Sequence, residues 1–316
     1  MNGIVASVVA AEPAISSSFL RRRPTVSVVM VVYMTGEALF QSIACVLDDP
    51  LVDEFVVVDN GSLRSDRAGL EALSERDERV VLLTGHGNIG FARAANMGAR
   101  TAQGDILVFL NPDAFLQPGC IAELVRELEQ RPGPCIVGGR VLNADRTEQR
   151  GGRRGDITPM AALVSLARVA DKLPGLRGYE VHWEGEAIPE KPAAVPTISG
   201  ACFSMRREDF EAVDGFDEGY FLHVEDVDLC WRVRQQGGSV VFHPKAEVIH
   251  LGRTSRSSPL KVEFHKGVGL ARYFRKRARN GSGRLLAWVL SPLIVCTAVA
   301  RPVVWRLRGR VASSAF

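Results

Sequence analysis

Four apolar segments of strand length between residues 26 and 110, each followed by a stretch of helix length, constrain this chain more than any other feature. Residues 26–33 are β-branched and apolar on both faces, the pattern of a strand covered from both sides in a parallel sheet. A helix is predicted over 37–47 and a second buried strand over 55–58, stopped by the turn-forming run Asp59, Asn60, Gly61 and Ser62. A helix over 67–76 leads to a third strand at 80–83, and a glycine turn within 87–98 opens another helix. The fourth strand, 105–110, is stopped by Asn111 and Pro112, and a helix follows over 118–130. Alternation at this spacing predicts an α/β fold with a mostly parallel sheet flanked by helices. Ligands of such sheets bind beyond the carboxyl ends of the strands, where Tyr33, Asp59, Asn111 and Asp113 all fall.

The second half breaks the rhythm. A run of glycines and arginines at 151–155 precedes a predicted amphipathic helix near 160–172 and a proline-rich connector. A strand is expected at 198–205, a short helix at 207–213, a turn at 214–219, a helix at 225–236, and short strands at 240–242 and 247–250.

At 316 residues the chain can bury one large core or two small ones. A net charge of only +3 argues against a nucleic-acid partner. Six widely spaced cysteines without a CxxC pair read as free thiols in a reducing compartment. The arginines are unevenly distributed: Arg272, Arg275, Arg277, Arg279 and Arg284 precede an apolar stretch at 285–300, and Arg301, Arg306, Arg308 and Arg310 follow it. Sixteen residues fall short of the roughly 20 that span a bilayer. The stretch therefore reads as an interfacial or re-entrant anchor beside anionic lipid, the alternative being a helix docked on the main domain or on a partner subunit. Residues 1–24 lack the basic lead of a signal peptide and are expected to form a loose tail.

Two acidic clusters carry chemistry. Asp113 places one carboxylate in a loop at a strand end, enough for a cation that keeps waters and takes one or two carboxylates plus substrate phosphates. The same triplet, Asn111 to Asp113, also makes turns and caps. Glu225, Asp226 and Asp228 open a helix, where acids suit the positive helix end but where a base could also reach an acceptor hydroxyl. His250 closes a strand and could ligate a metal; Arg253, Arg256 and Lys261 beyond it could steady a diphosphate or simply be solvated. No GxGxxG loop follows Tyr33, which disfavours a dehydrogenase.

In order along residues 26–256, these segments resemble the family-2 inverting glycosyltransferases of GT-A fold, and among them bacterial rhamnosyltransferases of cell-wall and O-antigen assembly. The resemblance rests on residues 28–33, 57–62, 88–92 with Asn96, 109–113, 199–202, 215–218, Tyr220, Phe221, 225–229 with Arg232, and 248–250. It implies a GT-A domain over 25–256, with a nucleotide-sugar half (25–138) and an acceptor half (139–256), and a membrane-associating segment over 257–316. Tyr33, Asp59, Asn60, Asn88, Gly90, Arg93, Asn111 and Asp113 would bind the nucleotide sugar. Asp113 and His250 would hold Mg2+ or Mn2+, and Asp226 would be the base, with Glu225 and Asp228 supporting the acceptor site. The implied donor is dTDP-rhamnose, and the implied acceptor a glycan or lipid-linked glycan at the cytoplasmic face of the inner membrane, with the enzyme peripheral or monotopic. A UDP-hexose donor, a nucleotidyltransferase and a non-catalytic binding subunit are the alternatives; a nucleotidyltransferase would want a Gly-rich, basic loop after the first strand. The chain departs from the family pattern at Asn111, which replaces the first acid of DxD as in the rhamnosyl branch, and at Met34, where Asn often stands.

Overall fold

The computed structural model describes residues 22–167, 174–252, 254–278 and 280–307. Most of the expected N-terminal tail, the end of the helix predicted near 160–172, Arg253, Arg279 and the last basic residues lie outside them.

The first half alternates as its pattern predicts: β1 (Val26–Val32), α1 (Ala38–Leu47), β2 (Val52–Asp59), α2 (Arg64–Arg76), β3 (Val80–Leu83), α3 (Phe91–Thr101) and β4 (Ile106–Leu110). Then come β5 (Ala114–Leu116), α4 (Cys120–Glu129), β6 (Cys135–Leu142), β7 (Arg153–Arg154) and α5 (Pro159–Ala167). The remainder holds β8 (Ala193–Ala194), β9 (Thr197–Ile198), β10 (Cys202–Arg206), α6 (Arg207–Ala212), α7 (Glu225–Gln235), β11 (Ser239–His250), α8 (Pro259–Arg277) and α9 (Gly281–Leu307).

Among the described residues, nine strands form one sheet in the order β3-β2-β1-β4-β10-β6-β11-β5, with β8 on β11. Strands β1 to β4 are parallel, β10 runs antiparallel between β4 and β6, and β6 pairs in parallel with β11. The second half of the chain thus inserts a strand into the first half's sheet. Side chains of β1 alternate between two cores, as the period of two requires: Val26, Val28, Met30 and Val32 face α1, α2 and α4, whereas Val29 and Val31 face α3 and the C-terminal helices. Burial of each such side chain contributes roughly 1.5–3 kcal/mol.

Two expectations change. The strand expected at 198–205 is interrupted at Ser199, Gly200 and Ala201, leaving β9 and β10 on either side of a kink. The two short strands at 240–242 and 247–250 are one strand, β11, whose register with β6 shifts between His243 and Glu247, around Pro244. Proline has no N–H for the ladder, so pairing slips there instead of ending.

The C-terminal apolar stretch belongs to a helix longer than expected. Residues Gly281–Pro302 are long and apolar enough to cross a membrane by length and composition. One face of α9, through Ala287, Ser291, Ile294, Ala298 and Arg301, is nevertheless buried. That spacing of four and three is a helix-packing seam. Leu285, Trp288, Val289 and Leu293 lie on the exposed side. Gly267 of α8 makes the contact possible, because a Cβ there would lie 2.9 Å from the Val295 Cα of α9.

Candidate active site

Asp113, just beyond β4, is buried. Its Oδ1 lies 3.2 Å from His250 Nε2 at the end of β11, and its Oδ2 accepts from the Thr254 hydroxyl at 2.9 Å. Burial opposes ionisation of Asp113, but the hydrogen bonds from His250 and Thr254 outweigh it and hold its pKa below the ordinary value. His250 is oriented by Gln149, which clasps it twice. Gln149 Nε2 donates to the His250 carbonyl at 2.8 Å, so its Oε1 is the partner of His250 Nδ1 at 2.7 Å. That bond places a proton on Nδ1 and leaves Nε2 facing Asp113, where it donates when it too carries a proton and offers a lone pair when it does not, with the Asn111 side-chain amide 3.3 Å away.

Two lone-pair atoms 3.2 Å apart suit a shared cation. Among the described residues no group of three or more His, Cys, Asp or Glu side chains is placed to hold a metal ion. One carboxylate and one imidazole therefore fit a divalent ion that completes its shell with substrate phosphates and water, and do not fit a closed structural site.

Asp226, in the first turn of α7, is held differently. Arg154 Nη2 and the Gly200 amide (3.1 Å) both donate to Oδ2, and the Val227 amide donates to Oδ1 at 2.8 Å. Burial alone would raise this carboxyl; the Arg154 charge and these hydrogen bonds outweigh it and hold the pKa below the usual carboxylate range. Its neighbour Glu225 behaves oppositely. Burial and the adjacent Asp226 charge push it up to about 8, and its Oε2 has no hydrogen-bond partner among the described residues. Just before it, His223 and Val224 both adopt left-handed backbone conformations, with φ of 67° and 74°. Such strain costs of order 1–3 kcal/mol per residue and clusters at functional sites.

The kink in the predicted strand joins the two clusters. The Gly200 amide reaches Asp226, while the next residue, Ala201, accepts from the Asn111 amide at 2.9 Å. Consecutive Cα atoms are about 3.8 Å apart, so Asn111 and Asp226 are both tied to one short segment. Asn111, His250, Glu225 and Asp226 all line one cavity of about 240 Å³, whereas Asp113, which contacts His250, is not among its lining residues.

The residues expected around the nucleotide form a second connected set. Asp59 accepts from the Gly61 and Ser62 amides at 3.1 and 2.7 Å. Burial opposes its ionisation, but these bonds and Arg67 lower its pKa. Asn60 donates to Asn88 at 3.1 Å and accepts from the Ile89 amide, and Asn88 accepts from the Gly90 amide. Gly90 has φ +87°, and a Cβ on it would meet the Phe221 carbonyl at 2.8 Å. Tyr33 packs over Gly61, and Met34 takes φ +46°, a conformation asparagine tolerates better. Asn96 holds Phe216 through both its backbone groups, at 2.8 and 2.9 Å. Arg93 stands apart. It is 59% exposed, with Glu218 3.7 Å away, and is not among the residues lining the cavity.

Asp228 lies away from the cavity, inside an ion-pair network. It is fully buried and absent from the cavity wall, and it holds the Tyr220 hydroxyl, Arg232 and Lys276. Two residues beyond Asp226 on a helix, its side chain is rotated by about 200° to the far face. The sequence reading assigned no role to Arg154, Gln149, Gly200 or Thr254. The glycine-flanked arginine pair at 151–155 was the available signal: in β7, Arg153 turns to Glu148 and Arg154 to Asp226, as successive strand residues must.

Comparison with known proteins bears on the family and the fold. Residues 27–214 match Glycosyl transferase family 2, and residues 187–255 match the family described as N-terminal domain of galactosyltransferase. The chain is 29% identical over 236 residues to the O-antigen biosynthesis protein RfbC of Myxococcus xanthus, covering 70% of this chain but 16% of RfbC. It is 27% identical over 237 residues to the N-acetylglucosaminyl-diphospho-decaprenol L-rhamnosyltransferase of Mycobacterium tuberculosis, covering 71% of this chain and 75% of that protein. The crystal structure of GalNAc-T7 with UDP, GalNAc and Mn2+ superposes with a TM-score of 0.63 at 16% identity, covering 93% of this chain and 55% of that one. The sheet order and the family match together lead to one conclusion: the chain has the GT-A fold and belongs to glycosyl transferase family 2.

Proposed function

We propose that this protein transfers a hexose, read as rhamnose from dTDP-rhamnose, onto a hydroxyl of a glycan or lipid-linked glycan, with inversion at the anomeric carbon. The observation that supports the proposal is the 199–201 kink, which bonds to Asp226 through Gly200 and to Asn111 through Ala201, with Asn111, Asp226 and His250, the partner of Asp113, lining one cavity. The rhamnosyl reading of the donor draws on the mycobacterial relative, whose name also describes a lipid diphosphate acceptor.

In this mechanism the acceptor hydroxyl attacks the anomeric carbon from the face opposite the diphosphate. The new C–O bond forms as the bond to the diphosphate breaks, and the hydroxyl proton passes to Asp226. A single displacement needs one base and no enzyme nucleophile, and its transition state is oxocarbenium-like. Arg154 and Gly200 both hold Asp226 Oδ2, whereas Oδ1 accepts only the Val227 amide and keeps a lone pair for the proton. Glu225, neutral at pH 7, adds no second charge beside it. Asp113 and His250 would hold Mg2+ or Mn2+, which when bound neutralises charge on the leaving diphosphate. Tyr33, Asp59, Asn60, Asn88 and Gly90 would receive the nucleotide.

The exposed apolar side of α9, with Trp288 stacked under Arg275 at 4.5 Å, supports attachment to an anionic membrane surface on the cytoplasmic side. Replacing Trp288 and Val289 by Glu should abolish co-sedimentation with anionic vesicles; unchanged sedimentation removes the membrane from the proposal.

The proposal is tested by a panel of dTDP- and UDP-sugars with Mg2+ or Mn2+, scored for nucleoside diphosphate release and product anomer. Turnover of dTDP-rhamnose to an inverted product is expected. Turnover of a UDP-hexose alone would replace the donor, and no turnover or binding of any nucleotide sugar would defeat the reading.

A further inference from the structure

The cavity beside Asp226 is closed by residues that neither family match reaches. Those matches end at residue 255, yet Lys266 and Leu270 of α8 and Arg301 of α9 line the cavity with Asp226. Lys266 and Leu270 are four residues apart and so share one helix face. Arg301 arrives because α9 lies against α8 at Gly267, and it is fixed there by Glu263, 3.7 Å away. Gly269 likewise lets α8 approach the strained residues, since a Cβ there would lie 3.0 Å from the His223 carbonyl.

The charge of this wall is one-sided. Arg150, Arg154, Lys266 and Arg301 line the cavity, and among the described residues its acidic lining consists of Glu225, held neutral, and Asp226, paired with Arg154. Glu180 and Glu184 neutralise Arg150 from behind, and Glu263 faces Arg301, so carboxylates lie outside the space and cations inside it. Burial, then Arg301, press the Lys266 ammonium down to about 7, with Arg154 acting in the same direction and Glu263 and Asp226 opposing. Beside the cations stand the apolar Ile157, Leu166 and Leu270. A neutral sugar alone has no use for such a wall; an anion attached to hydrocarbon does.

We propose that Lys266 and Arg301 form a subsite for the phosphate or diphosphate of a lipid-linked acceptor, so that the two C-terminal helices complete the acceptor side of the cavity. This rests on the glycosyltransferase reading above. The donor diphosphate carries the same chemistry, and the two sources predict different outcomes.

Farnesyl diphosphate is a suitable probe, titrated into the full chain by calorimetry, with farnesol and with dTDP plus Mn2+ as comparisons. Charged hydrogen bonds of this kind correspond to about tenfold or more in affinity. Lys266→Gln and Arg301→Gln should each weaken farnesyl diphosphate by about tenfold and leave farnesol and dTDP–Mn2+ unchanged. Because Arg301 is buried, Lys266→Gln, at a half-buried position, keeps the test valid if the first variant fails to fold. Unaltered farnesyl diphosphate binding in Lys266→Gln overturns the proposal. So does a matching loss of dTDP–Mn2+ affinity, which would assign the cations to the donor. If the wild type binds farnesyl diphosphate in a Lys266-dependent manner but binds no nucleotide, the subsite stands and the glycosyltransferase reading fails.

Discussion

Arg154 and Asp226 form a half-buried ion pair in which the guanidinium and the Gly200 amide share a single carboxylate oxygen, Oδ2. The pair fixes which oxygen of the base is free to take a proton, and it lowers the pKa of that base. Asp226 is therefore ionised throughout the neutral range, and the acid limb of the rate profile should lie below the ordinary carboxylate range. Arg154→Gln removes the interaction that favours the anion, so burial dominates and the limb moves to higher pH. The pH profile of kcat/KM checks this, with a loss of about 10²-fold or more expected at neutral pH from misorientation. An unmoved acid limb would mean that Arg154 does not act on the base.

Glu225 should behave as a neutral group up to about pH 8. Its folded pKa lies above the ordinary 4.5, so the folded state binds the extra proton between these values. The stability it contributes is full below about pH 4.5 and is lost as pH rises through about 8. Glu225→Gln mimics the protonated form. It should match the wild type near pH 4 and exceed it in stability by several kcal/mol at pH 9, as read by urea midpoints at the two pH values. Equal midpoints at pH 9 would mean that Glu225 ionises normally.

Gln149→Leu should leave the fold intact and weaken Mn2+-dependent binding of a nucleoside diphosphate by about 10–100-fold, the usual cost of losing an outer-shell partner. The reason is local: without Gln149 nothing fixes the proton on His250 Nδ1. Calorimetry with and without Mn2+ separates the two terms, and the metal-free affinity should not change.

Asp228→Ala should be a stability variant. Removing a fully buried carboxylate from Tyr220, Arg232 and Lys276 leaves cations without their partner, at a cost of about 3 kcal/mol. Chemical denaturation measures the loss. The KM for acceptor of the folded fraction should be unchanged, whereas a selective rise in that KM would restore Asp228 to the acceptor site.

The strand-rich half of the fold was legible because β1, β2 and β4 are buried on both faces and therefore apolar at consecutive positions. β6 was not recognised, since Gly138 and Gly139 break its apolar run, and a Cβ at Gly138 would meet the Ile198 side chain at 2.6 Å. The site was legible where chemistry and turn signals coincide, at Asp59, Asn111, Asp113, Asp226 and His250. It was not legible where function depends on pairing across the chain. Arg154 is 72 residues from Asp226 and Gln149 is 101 from His250, separations no local pattern encodes. At Asp228 acidity alone did not distinguish an acceptor-site role from the buried ion-pair network in which it lies.

The central claim is that two acidic groups act on one sugar in different roles, and paired measurements on Asp226→Asn and Asp113→Ala test it most directly. Donor affinity with Mn2+ and single-turnover transfer are measured for each. The account predicts that Asp226→Asn binds donor like the wild type and loses transfer by about 10³-fold or more, while Asp113→Ala loses the metal-dependent part of donor binding. Near-normal transfer by Asp226→Asn would contradict it.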